Sequence, residues 1–386
     1  MKNQCIQTNR RMNNEQSLHD PNTPAQKLAQ GNWQNHQSEF RGHTGPHTFK
    51  LGLDVDIKQI TVVTQCDHAP LKPAQSFTPA TLCEWVRTQT AAGHTVWTVY
   101  EACGFGYTLH HQLVAAGARS LVITPVRLDT ERRRKNDRLD ARQLCIRLSR
   151  YVEGHHSELP LIRVPSVPEQ QRREIGRQRK FWNTEVRRLE NHGRALRLEH
   201  EFQTLPAGWA GPRKWKGLSP QLSEFVRAQL EPVVALIRQA KEQLARLTGE
   251  LEARVAQETL PKGLGALTMA LADAEVCDWH RFKDRKAPGS YTGCCPSEHS
   301  SGGEQRTGSI DRHGNKHLRT LLVEAVWRLL RWQTQWHAYR KLVVRLKAGQ
   351  ALKKKTVVAL ARQLAVDLWR VRTGRCSWAQ LGLFAK

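Results

Sequence analysis

Between residues 169 and 257 the chain can be little other than long helix. In "EQQRREIGRQRKFWNTEVRRLENHGRALRLEHEF" and "SPQLSEFVRAQLEPVVALIRQAKEQLARLTGELEARVAQ" apolar side chains recur three and four positions apart, the period of one helix face. The linker "LPAGWAGPRKWKGLSP" is rich in Gly, Pro and Trp and turns the chain back. The pattern predicts an antiparallel helical pair, a coiled-coil arm over 166–258, with a kink at Pro232. Any fold for this chain must grow on either side of that arm.

Upstream the rhythm changes. "FKLGLDVDIKQITVVTQ" holds two short runs of strand-forming residues broken at Asp56 to Lys58, the signature of a hairpin. "TPATLCEWVRTQTAAG" is spaced as a helix, "HTVWTVYE" as a strand ending on Glu101, "GYTLHHQLVAAG" as a helix and "RSLVITP" as a buried strand. A further helix runs from Asn136 to Tyr151. Strands alternating with helices predict an α/β sheet domain over 48–165. Downstream, 259–375 reads as a mainly α globular domain, followed by a tail over 376–386. Residues 1–47, rich in Asn, Gln, His and Pro, are expected to be a disordered extension.

Composition narrows the partners. Sixty Lys and Arg against 35 Asp and Glu give a formal charge of +25 and a pI near 10.2, which favours nucleic acid over anionic membrane. No run approaches the roughly 18 apolar residues of a spanning helix, and the first residues lack the apolar stretch of a signal peptide. A cytoplasmic protein without a membrane partner is expected. The nine cysteines form no CxxC pair, so packed, reduced thiols are expected rather than a zinc site.

Against this basic background four acids stand out. Asp54 and Glu101 end predicted strands, where site residues of α/β sheets gather. Asp137 and Asp140, in "KNDRLDARQL", lie three apart and share one helix face. Four such carboxylates can hold one or two Mg²⁺ ions, with Mn²⁺ as a substitute, because hard cations take oxygen ligands. The same two aspartates could instead pair with Arg134, Arg138 or Arg142 on a solvated helix, and spacing alone does not separate the two uses.

The wording of these segments is informative as well. "LGLDVDIKQITVV", "VYEACGFGYTLHHQLVAAG" and "VITPVRLDTERRRKNDRLDARQL" resemble the N-terminal domain of IS110-family transposases. "LPKGLGALTMALA" and "RFKDRKAPGSYTGCCPSEHSSGGEQRTGSIDRHGNKHLRTLLVEAVW" resemble the C-terminal domain of the same family. The resemblance spans about residues 49–335, in order, with the arm between.

The resemblance implies an RNase H/RuvC-like domain whose Asp-Glu-Asp-Asp metal site falls on Asp54, Glu101, Asp137 and Asp140. Asp56 and Asp129 are left as neighbours of that site. It also implies a serine nucleophile in "SEHSSGGEQRTGS" that forms a phosphoserine link to DNA. Ser301 is preferred because it precedes the fixed glycine, with Ser300 next to it and His299 as a nearby base. Arg306, Arg312 and Arg319 could neutralise the phosphate, and Arg134 and Lys135 could hold the backbone beside the acids. Gly263 and Gly265 form a hairpin that could present amides to a phosphate. The implied partners are DNA at the element ends and target, a structured guide RNA, and further copies of the chain as a dimer or tetramer. The serine and the acids are implied to meet in a composite centre across subunits.

Two other functions fit the same residues. A RuvC-like nuclease or resolvase would cut by water attack without a covalent link, and a basic RNA-binding protein would not cut at all.

Overall fold

Bulky residues at every second position of "TFKLGLDV" give β1 (Thr48–Val55) two unlike faces. Phe49, Leu51 and Leu53 enter one apolar layer, while Lys50 and Gly52 lie on the opposite side. The computed structural model describes residues 45–125, 137–298, 307–343 and 354–385, in two compact units that divide between Val164 and Pro165.

In the first unit β1 pairs antiparallel with β2 (Ile60–Cys66), which pairs with the short β3 (Gln75–Phe77). On its other side β1 runs parallel to β4 (Thr95–Glu101), and β4 parallel to β5 (Arg119–Ile123). The order is β3-β2-β1-β4-β5, a mixed five-stranded sheet. The predicted hairpin is present, and Asp56 closes it: its carboxylate accepts from Lys58 N–H at 3.2 Å and its own N–H donates to Gln59 at 3.1 Å. Asp56 is thus a turn residue. Asp129 lies outside the described residues.

Helices cover both faces of this sheet. On one lie α1 (Pro79–Ala91), started by a Thr78/Thr81 capping box, and α2 (Thr108–Ala115). Leu82, Val86 and Leu113 pack there on Phe49, Leu51, Leu53 and Tyr100. On the other lies α3 (Asp137–Val152), with Ala141 and Cys145 against Val63 and with Leu144 and Leu148 against Val99 and Ile123.

The second unit begins with a Ser166/Glu169 capping box that starts α4 (Val167–Glu201). A short α5 (Pro212–Leu218) precedes α6 (Glu224–Ala253), which contains Pro232. Three contacts fix α4 and α6 as antiparallel: Arg179 to Thr248 at 2.8 Å, Lys241 to Glu190 at 2.8 Å, and Ser223 N–H to Glu201 at 2.7 Å. At the turn Trp209 is fully buried, its indole N–H donates to the Glu190 carbonyl, and its ring fills the space over Gly193. A Cβ on Gly193 would stand 2.2 Å from Trp209 Cζ2. Gly193→Ala is therefore expected to destabilise the helical pair by about 1–3 kcal/mol through overpacking, measurable as a lowered denaturation midpoint. An unchanged midpoint would refute this packing.

The remaining chain folds around one large core. It includes α7 (Ala266–Val276), α8 (Lys286–Tyr291), α9 (Lys316–Trp332), α10 (His337–Val343) and α11 (Lys354–Arg372). Leu318, Leu322, Val326 and Leu329 form the inward stripe of α9. The fully buried Asp367 accepts from Trp336, His337 and Gln363 at 2.9–3.0 Å, which offsets the cost of burying a carboxylate. Ile175 of α4 and Leu251 of α6 join this core, so the arm and the C-terminal helices share one unit.

Candidate active site

The sheet sets two of the four acids side by side. β1 and β4 are parallel and their register ends with Leu53 opposite Tyr100, so Asp54 and Glu101 are the next residues on adjacent strands. Leu53 and Tyr100 both enter the α1/α2 layer. By the period-two alternation of strands, Asp54 and Glu101 belong to the α3 face.

Helix α3 brings the other two. It runs antiparallel to β1: Lys50 Nζ donates to Ser149 Oγ at 3.0 Å, and Gly52 meets Ala141 and Cys145 one step further on. Two strand residues advance about 6.8 Å and four helix residues about 6 Å, so position 54 is level with the first turn of α3. That turn carries Asp137 and Asp140. They stand four residues before Ala141 and Leu144, which are buried against the sheet. Acids are also favoured in a first turn by the helix dipole. Asp54, Glu101 and Asp140 are each partly exposed, so solvent and ligands can reach them. For Asp137 the backbone position is described.

The close approach at Gly52 makes this level possible. A Cβ there would lie 2.2 Å from Ala141 O and 2.4 Å from Cys145 N. The signal for this contact is local, since a glycine inside an otherwise apolar strand often marks close backbone approach. Below it, Lys50 is buried with its ammonium between Ser149 and the Asp67 carbonyl, near Glu153.

An all-oxygen donor set of this kind fits a hard divalent cation. Among the described residues, the one group of three or more possible ligands whose ligand atoms all lie within 4.8 Å of one another is His47, Cys66 and Asp67, at the other end of β1. There the Asp67 carboxylate already accepts from Thr48 N–H and meets His47 Nδ1, both at 2.8 Å. Burial pushes the Cys66 thiol up to about 11, and the Lys50 ammonium bonds the Asp67 carbonyl at 3.0 Å. These contacts lock the β2 end, and a cation would have to displace them.

The serine segment lies in the second unit. β6 (Pro296–Glu298) pairs antiparallel with β7 (Thr307–Ile310), with Pro296 opposite Ile310 and Glu298 opposite Thr307. Residues 299–306 connect the two strands. His299, Ser300, Ser301 and Arg306 are therefore in that connection and lie outside the described residues, as do Arg134 and Lys135. Below the strands the ribbon is closed by Asp311 N–H to Cys295 O at 2.8 Å, Arg312 N–H to Gly293 O at 3.1 Å and Asn315 N–H to Tyr291 O at 2.8 Å. Gly293 has φ +65, and a Cβ on Gly314 would be 2.4 Å from Gly293 N; the two stems touch backbone to backbone.

The other expected phosphate-binding residues divide. Arg312 is exposed. Arg319 donates to Thr292 O at 2.8 Å and reaches Arg312 O at 3.5 Å, so its guanidinium supports the ribbon base. Gly263, at φ +97, packs on the α9 backbone near Arg328, whose Nε donates to the Gly263 carbonyl at 3.0 Å. Gly265 is exposed and starts α7 without a side-chain cap.

The sequence model described as "Transposase IS116/IS110/IS902 family" matches residues 259–341, the stretch that holds α7, the ribbon and α9. This match supports an IS110-family transposase. Relatives extend the likeness beyond that stretch. A Sinorhizobium fredii protein assigned as transposase y4rJ is 28% identical over 319 residues, covering 74% of this chain and 78% of the relative. The transposase for insertion sequence element IS1111A of Coxiella burnetii is 25% identical over 297 residues, covering 72% and 79%. Together these likenesses support a transposase of an insertion sequence. No helix among the described residues is long and apolar enough to cross a membrane.

Proposed function

We propose that this transposase cleaves and rejoins DNA strands at a RuvC-like acidic centre formed by Asp54, Glu101, Asp137 and Asp140, using a serine of the segment between β6 and β7 as nucleophile. The observation that carries the reading is the placement of Asp54 and Glu101 on adjacent parallel strand ends, on the face and at the level of the first turn of α3. One or two Mg²⁺ ions held by these carboxylates would supply charge neutralisation at the phosphodiester.

The ribbon offers the covalent partner. Ser301, with Ser300 beside it, gives up its hydroxyl proton, and its Oγ attacks phosphorus. The Oγ–P bond forms as the bond to the displaced deoxyribose oxygen breaks, and that oxygen takes up a proton. In the joining step an incoming deoxyribose hydroxyl attacks the phosphoserine, the Oγ–P bond breaks, and the serine hydroxyl is restored. The phosphodiester bond energy is thereby kept for rejoining. Arg312, exposed at the ribbon base, suits contact with phosphate. The exposed Arg172, Lys180 and Arg187 of α4 suit backbone contact with DNA or a structured guide RNA, whose pairing would select sequence. A synapse of two or four chains supplies the several strands such a reaction joins.

The test is a Ser300→Ala/Ser301→Ala double variant incubated with a labelled duplex of the element end and Mg²⁺. Loss of the covalent protein–DNA species together with loss of joining is expected. Cleavage that continues without the adduct would instead make the protein a nuclease acting through water. Binding with no Mg²⁺-dependent cleavage even in the parental chain would leave only an RNA- or DNA-binding protein.

A further inference from the structure

Glu275, in the last turn of α7, lies directly beneath the serine ribbon. It is 6% exposed, and a carboxylate that deep needs partners. Asn315 Nδ2 donates to its Oε2 at 2.7 Å, and the Tyr291 hydroxyl donates to its backbone carbonyl at 3.0 Å. From α4, Arg177 Nε reaches Oε1 at 3.5 Å and Arg173 Nε stands 3.7 Å from Oε2. Arg173 Nε is buried and has no hydrogen bond, so that contact is an ion pair beyond hydrogen-bonding reach.

Asn315 is the hinge pin of this arrangement. Its Oδ1 caps α9 by accepting from His317 and Leu318 N–H at 3.0 Å, and its own N–H closes the ribbon on Tyr291. Through one residue, therefore, the start of α9, the base of the ribbon and the buried carboxylate are held together. Through Arg173 and Arg177 the same carboxylate is tied to the long arm helix.

We propose that Glu275 is a positioning residue for the serine step: it fixes the ribbon base through Asn315 and links it to α4. This rests on the serine reading above. Oε1 faces Arg177 of α4, and Oε2 is shared between Asn315 and Arg173 of α4, so a shift of α4 that draws the arginines away alters the bond that holds the ribbon.

A reciprocal swap separates positioning from bulk packing. Asn315→Asp keeps the helix cap, since Asp caps as well as Asn, but sets carboxylate against carboxylate. Glu275→Gln alone keeps the shape and removes the charge that Asn315 and the arginines address. In Glu275→Gln/Asn315→Asp the Gln amide donates to the new carboxylate and the pair is restored in reverse. Hydrogen exchange of the amides at 308–315 and the rate of covalent adduct formation on the labelled element-end duplex are the two readouts. Loss of a buried hydrogen bond to a charged group predicts roughly tenfold faster exchange and a comparably slower adduct rate in Asn315→Asp. The swap is expected to recover both, with duplex binding unchanged throughout. Exchange that recovers while adduct formation does not would overturn the positioning role, and exchange unaltered in the single variants would overturn the clamp. A parental chain that forms no adduct would defeat the serine reading itself, and this claim with it.

Discussion

Asp54→Asn is expected to abolish Mg²⁺-dependent strand cleavage while leaving the fold at least as stable. Asn occupies the same volume at the end of β1, and removing one negative charge from a group of acids on one sheet face relieves repulsion. The loss falls on chemistry. Removing a ligand that helps neutralise a phosphodiester forfeits several kcal/mol of transition-state stabilisation, roughly a thousandfold or more in rate. Two measurements check this. Cleavage of the labelled duplex should vanish, and Mg²⁺, which is expected to raise the melting temperature of the parental chain by mass action, should raise that of the variant less or not at all. Cleavage at the parental rate would remove Asp54 from the site. Glu101→Gln and Asp140→Ala are expected to behave alike, which ties the outcome to the cluster rather than to one side chain.

Gly52→Ala acts on the same site from inside the fold. Its added methyl would sit 2.2 Å from Ala141 O and 2.4 Å from Cys145 N, and both are backbone atoms of a helix that cannot rotate away. Either α3 lifts from β1 or the strand bends. Overpacking of this kind costs about 1–3 kcal/mol and occasionally more. The expected result is a lowered denaturation midpoint together with loss of cleavage, because lifting α3 carries Asp137 and Asp140 away from Asp54 and Glu101. A variant of parental stability and parental activity would show that the helix–strand contact is not what aligns the acids.

Much of the first unit could be read directly from its residues because its elements are separated by clear local signals. Period-two apolar runs marked β1, β2, β4 and β5, and Gly93 and Gly117 follow their helices closely. The three-residue β3 escaped notice because Gln75 and Ser76 give it no apolar alternation. The two strands flanking the serine segment give no clear alternation either: Pro296–Glu298 and Thr307–Ile310 are short and largely polar. Their pairing is settled by the backbone contact of Gly293 and Gly314, which spacing does not announce.

The candidate site was legible in part, for a physical reason. Strand-end acids and a pair three apart on a helix are local patterns. Asp56, left out of the acid set, serves the turn, since the chain must reverse there. Glu275 gave no signal within "LADAEV", because its partners are 40 and 98 residues away. Arg319 Nη1 bonds carbonyls of the ribbon base, a contact that the local pattern does not signal. For Glu275 and Arg319 the deciding neighbours are distant along the chain.

The meeting of α3 with β1 also bears on how this segment can vary in length. Lys50 with Ser149 and Gly52 with Cys145 pin the helix to the strand at two points. Deleting one residue between Asp140 and Cys145 would turn everything before it by about 100° around the helix axis, swinging both aspartates off the sheet. A residue added to the turn at Asp56 to Gln59 would leave that alignment alone. Insertions and deletions should thus be tolerated at the hairpin and forbidden in the first turns of α3, although both segments adjoin the same four acids.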